Sequence, residues 1–130
     1  MYKSEITFAS KELTKREKVM LSDVSSATKL DEVIKGIDDS FDIEPAAYAV
    51  VAIENDKAKG EKQYEVIVIL DANGSKYVTG SQSFREAFTG IWDQMTDNGE
   101  IAEGDEFSIR VYKRPSKNYS GKAFISCALI

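Results

Sequence analysis

The segment QYEVIVILD, residues 63–71, places the strongest constraint on this chain. Its apolar residues run without a break from Val66 to Leu70, and four of the five are β-branched. That is the pattern of a strand buried on both faces. The Asn-Gly pair of ANGS follows it, and KYVTGS (76–81) returns as the second arm of a hairpin. Upstream, AAYAVVAIE (46–54) reads as another strand, bounded by Pro45 and followed by the polar loop NDKAKGEK. In SQSFREAFTGIWDQM the period changes. Phe84, Phe88, Ile91, Trp92 and Met95 fall at helical spacing on one face, and Ser83 with Glu86 has the form of a capping box. DQMTDNGEIAEGDE, with six acids and no base, reads as a solvated loop. EFSIRVYKR and KAFISCALI then read as two strands joined by the turn residues of PSKNYSG.

From residue 46 the expected order is therefore strand, strand, strand, helix, strand, strand. This order matches a five-stranded OB-fold-like antiparallel barrel, giving a mainly β chain with two helices. The alternative is an α+β arrangement, with one antiparallel sheet and helices on one side. Residues 1–45 form an N-terminal extension to the 46–130 core. Within it, SEITFAS and EKVMLSD read as strands around a solvated or helical turn, KELTKREK. SSATKLDEVIKGIDDSF reads as a short amphipathic helix with Leu30, Val33, Ile34 and Ile37 on one stripe, ended by Gly36 and the acidic DDSFDIEP.

At 130 residues, one domain is expected, large enough to fold without a disulfide or metal staple. The chain has no histidine, which removes the commonest general base and metal ligand. The acidic loop fails the calcium-loop pattern, since Met95 and Asn98 stand at the third and sixth positions counted from Asp93. There is no glycine-rich phosphate loop, paired-cysteine motif or nucleophile elbow either. The reading is of a non-enzyme with no catalytic residue, metal or cofactor. Cys127 is the single cysteine and faces the expected core; Trp92 sits on an apolar stripe and is expected there too. The first 18 residues hold no apolar run of signal-peptide length and nothing approaches a membrane span, so a cytoplasmic protein is expected.

Charge is distributed unevenly. The chain carries 22 acids against 17 bases, a net charge of -5, yet residues 107–130 hold five bases and no acid. Strand alternation places Phe107, Ile109 and Val111 on one face and Arg110, Tyr112 and Arg114 on the other. In the last strand Ala123, Ile125 and Cys127 oppose Lys122, Phe124 and Ser126. If the two polar faces coincide, one surface shows Arg110, Tyr112, Arg114, Lys122 and Phe124, with Lys117 and Tyr119 at the loop tip. Tyr77 of the third strand, with Lys76 at its mouth, is a second-tier addition to that surface, the alternative for Tyr77 being a place in the core, which is slightly favoured. Aromatic rings stack on exposed nucleobases and bases neutralise phosphates, which favours unpaired nucleic acid. The same alternation also describes the wet side of an ordinary sheet, with lysines guarding its edge.

The runs KYVTGSQSFREAF and FSIRVYKRPSKNYSGKAFISCALI together resemble small OB-fold single-stranded DNA-binding proteins of the kind encoded by bacteriophages. The resemblance spans about residues 46–130 and rests on element order and on the hairpin RPSKNYSGKAF. It implies sequence-tolerant binding of single-stranded DNA in replication or recombination, without a cofactor, with replication or recombination proteins as further partners. Residues before 46 have no place in a minimal barrel. RNA is an alternative ligand, and the apolar ALI end is that of an edge strand able to pair with another subunit. The competing function is a protein-interaction module, such as a phage-encoded adaptor or inhibitor whose acidic faces meet a basic host protein.

Overall fold

The computed structural model describes residues 2–36, 38–55, 63–115 and 123–130. The fold is mainly β, with two antiparallel-rich sheets and three helices. The central strand is β5 (Gln63–Asp71), with every residue from Val66 to Asp71 buried. It pairs antiparallel with β4 (Pro45–Asn55) on one side and with β6 (Lys76–Thr79) on the other. β1 (Tyr2–Ala9) adds an antiparallel strand outside β4, and the two-residue β2 (Thr28–Lys29) adds a parallel one outside β6. The second sheet has three strands, in the order β3 (Ser40–Ile43), β7 (Ile109–Pro115), β8 (Ala123–Leu129).

Both faces of the larger sheet are covered, which is why the apolar run of β5 is continuous. Ala47, Ala49, Val51, Val66, Val68, Leu70 and Val78 share one face. They pack under Leu13, Leu21 and the partly buried Met20 and Val24. That layer is built by α1 (Lys15–Ser22), opened by a capping box in which Thr14 and Glu17 satisfy each other's backbone N–H groups. Tyr48, Ile67, Ile69 and Tyr77 point the other way, into a core shared with α3 (Gln82–Met95) and the three-stranded sheet. Phe84, Phe88 and Trp92 of α3 are fully buried there, with Ile109, Val111, Ile125 and Cys127 from β7 and β8.

Four expectations are corrected. EKVMLSD, expected as a strand, instead forms most of the helix Lys15–Ser22, as its capping box dictates. The short helix expected within SSATKLDEVIKGIDDSF, ending at Gly36, is a single turn, α2 (Leu30–Val33), preceded by a 3₁₀ turn at Val24–Ser26. Leu30 and Ile34 do reach the core, but Asp39 captures the N–H groups of Lys35 and Gly36, and the chain turns into β3. Ile37 lies outside the described residues. The cap of α3 is Ser81, which accepts from Phe84 N, while Ser83 donates to Ile125 O of β8 at 3.0 Å. Finally, neither sheet closes into a barrel among the described residues. β1 takes the second edge of β4, β2 that of β6 and β3 that of β7. Residues 1–45 thus fill three of the strand edges that closure of a five-stranded barrel would use. Among the described residues no helix is long and apolar enough to cross a membrane.

Tyr48 stands where these layers meet, edge-on to Phe88 at 5.2 Å and to Trp92 at 5.4 Å. Burial, and then the negative charge of Asp93, push its phenol up to about 12 from an ordinary 10.0. The folded state therefore keeps a proton that the unfolded chain loses. Its contribution to stability is full below pH 10 and is lost as pH rises toward 12. Melting temperatures recorded across that window should fall more steeply for the wild type than for Tyr48→Phe. Parallel curves would show that Tyr48 does not titrate in this way.

Candidate nucleic-acid interface

The β7–β8 hairpin is antiparallel, with Arg110 opposite Ala128, Tyr112 opposite Ser126 and Arg114 opposite Phe124. Directly opposed residues share a face, so Arg110, Tyr112, Arg114 and Phe124 stand on one surface. Ile109, Val111, Ile125 and Cys127 occupy the other and are buried. The partition follows from period-two alternation in IRVYKR and AFISCA, whose apolar halves both need the core beneath α3. Arg110 and Arg114 are exposed, and the rings of Tyr112 and Phe124 are half-buried. The Arg114 guanidinium carbon lies 5.9 Å from the Phe124 ring centroid, at the outer range of a cation–π contact.

β3 extends this surface. Its register sets Ser40 beside Tyr112 and Asp42 beside Arg110. Asp42 accepts from Arg110 Nε at 2.9 Å and from its terminal nitrogen at 3.2 Å. That hydrogen bond holds the Asp42 carboxyl below its usual range and raises Arg110 further. Sequence reasoning misses Asp42 because DDSFDIEP reads as the end of a helix. The signal was present: Phe41 and Ile43 face inward while Ser40 and Asp42 are exposed, a short alternation of strand type.

The remaining candidates lie elsewhere. Tyr77 is only 8% exposed and packs edge-on against Phe41 at 5.1 Å, because its strand position faces the core beneath α3. It does not extend the hairpin surface. Lys76 donates to Met20 O at 2.8 Å, Asp23 O at 3.0 Å and Ser26 Oγ at 2.6 Å. It fastens the end of α1 and the 3₁₀ turn to β6, and its ammonium is taken up by these acceptors. Lys117, Tyr119 and Lys122 lie outside the described residues. Cys127 is buried, and desolvation pushes its thiol up to about 12, so it stays protonated and unreactive at neutral pH.

Among the described residues, the surface on β7 and β8 is a sheet face. Concave features lined by described residues gather instead around Tyr64, including a cavity of about 550 Å³ floored by Ile53, Val66 and Val78. A sheet face with rings and guanidinium groups suits a flexible polymer laid across it better than a small molecule held by enclosure. Comparison with family models, with curated proteins and with solved structures finds no match to this chain.

Proposed function

We propose that this chain binds single-stranded DNA on the outer face of the β7–β8 hairpin, with little sequence preference and without catalysis, in the service of replication or recombination in the cytoplasm. One observation carries the reading: the hairpin register brings Tyr112, Arg114 and Phe124 to one surface, with the Arg114 guanidinium beside the Phe124 ring. Bases stack on such rings whatever their identity, and the cation attends the phosphates. In this reading residues 46–130 are an OB-like core, with strands from residues 1–45 on the outer edges of β4, β6 and β7.

Titration with a short oligo(dT) strand, followed by anisotropy at low salt and again at about 0.2 M, tests it, since affinity carried by phosphate contacts falls with salt. Tyr112→Ala and Phe124→Ala should each cost roughly 1–3 kcal/mol at both salt concentrations, the range for loss of one base–ring stack. No binding at low salt would remove the proposal. A matched RNA strand in the same assay ranks the two nucleic acids.

A second reading is favoured by a different observation. Asp93 in the last turn of α3 and Asp97, Glu100, Glu103, Asp105 and Glu106 between α3 and β7 are all exposed, and none is in an ion pair among the described residues. A surface of that sign fits a basic partner protein, making the chain an interaction module. That reading takes precedence if the oligonucleotide does not bind and a basic protein does so in a salt-sensitive manner.

A further inference from the structure

Arg110 and Arg114 stand on the same face of the same strand but in different surroundings. Arg110 meets a carboxylate directly across the β3–β7 ladder. Arg114 lies beyond the end of β3, whose last pairing on that side is Ser40 with Tyr112, and its opposite neighbour is the ring of Phe124. We propose that Asp42 is a built-in competitor for phosphate at this surface, attenuating Arg110 and biasing a bound strand toward the Tyr112–Arg114–Phe124 half. The inference rests on the single-strand-binding reading above.

The geometry supports the competition. A guanidinium offers two parallel N–H groups, and Asp42 occupies Nε and one terminal nitrogen with its two oxygens at 2.9 and 3.2 Å. A phosphate would take the same fork in the same bidentate manner, so carboxylate and phosphate exclude each other. Both side chains are about half exposed, at 51% and 49%. Solvent reaches the pair and weakens it, so the carboxylate attenuates Arg110 rather than locking it away. The carboxylate also repels any phosphate approaching from the β3 side. Asp39, also in the acidic run leading into β3, is already committed to the N–H groups of Lys35 and Gly36. The carboxylate set against the hairpin bases is therefore that of Asp42.

Binding of oligo(dT) by the full chain and by Asp42→Asn provides the test. The substitution keeps the side chain's size and removes its charge. It should tighten binding about threefold to tenfold at low salt and steepen the slope of log affinity against log salt by about 0.7, as for one added phosphate contact to a single strand. Arg110→Ala should change affinity by less than about twofold in the wild type, but lose about threefold to tenfold in the Asp42→Asn background, a coupling that a double-mutant cycle isolates. Asp38→Asn, which removes another exposed acid, should leave the slope unchanged. If wild type binds while Asp42→Asn has the same affinity and slope, or if Asp38→Asn gives an equal gain, the competitor role is overturned and the binding proposal stands. If neither protein binds, both proposals fall together.

Discussion

Replacing Trp92 with alanine is expected to remove about 3–5 kcal/mol of stability, the usual cost of truncating a large buried aromatic. Trp92 is 1% exposed. It packs edge-on against Tyr48 at 5.4 Å and Phe107 at 5.9 Å, and leans on Phe88 at 6.0 Å. It therefore joins α3 to the central sheet and to the approach of β7, and its loss opens a cavity bounded by three separate elements. Against a total of about 5–15 kcal/mol for a domain, such a loss lowers the melting temperature by about 10–20 °C. Trp92→Phe should behave differently. The indole Nε1 is buried and meets no acceptor among the described residues, so removing it deletes an unsatisfied donor while keeping a ring in place. A cost below about 1.5 kcal/mol is expected for that swap. Urea unfolding of both variants decides the matter, and an alanine variant within about 1 kcal/mol of wild type would place Trp92 outside the cooperative core.

The second large effect concerns Gly99. Asn98 and Gly99 both have positive φ, 53° and 84°, in a two-residue turn closed by paired hydrogen bonds between Asp97 and Glu100. This is the geometry for which Asn-Gly is selected. Gly99 also lies against the chain just past β1, where an added Cβ would overlap the carbonyl oxygen of Ser10. Ser10 has little freedom to retreat. Its N–H donates to Tyr48 O at 2.9 Å and its hydroxyl accepts from Tyr48 N at 3.0 Å. Gly99→Ala should therefore cost about 2–4 kcal/mol, combining left-handed backbone strain with damage to the buried Ser10–Tyr48 pairing. Gly104→Ala is the control. Gly104 has φ 88°, but nothing lies within 4 Å of its added Cβ, so it should cost only the conformational penalty of about 1–2 kcal/mol. Equal losses for the two variants in urea would show that the close approach to Ser10 carries no energy.

What the sequence made legible was what local periodicity encodes. β5 was readable because four β-branched residues in succession leave no polar face. The stripe of α3 was readable because Phe84, Phe88 and Trp92 recur at four-residue spacing. The shared face of Arg110, Tyr112, Arg114 and Phe124 follows from the same alternation applied to two adjoining strands. The first 45 residues were opaque for physical reasons. Leu30, Val33 and Ile34 have helical spacing, but one turn followed by a bend buries Leu30 and Ile34 completely without a long helix. The Thr14–Glu17 box was legible in principle and was masked by the charge around it. The pairing of β3 with β7, which places Asp42 on Arg110, joins segments 68 residues apart and leaves no local trace. For Tyr77 the core reading holds over its candidacy for the surface, a choice alternation leaves open because it fixes which residues share a face but not which face meets the core.

That long-range pairing also bears on how the molecule assembles as it leaves the ribosome. β4, β5 and β6 follow one another and can zip together soon after emerging. β3 has to wait, its ladder partner arriving only with Ile109–Tyr112. Until then the segment Ser40–Ile43 hangs beside a nearly complete five-stranded sheet with no strand of its own to join. Loop closure over such a span is slow compared with hairpin formation, so nascent chains halted before β7 should be the ones that chaperones find and hold.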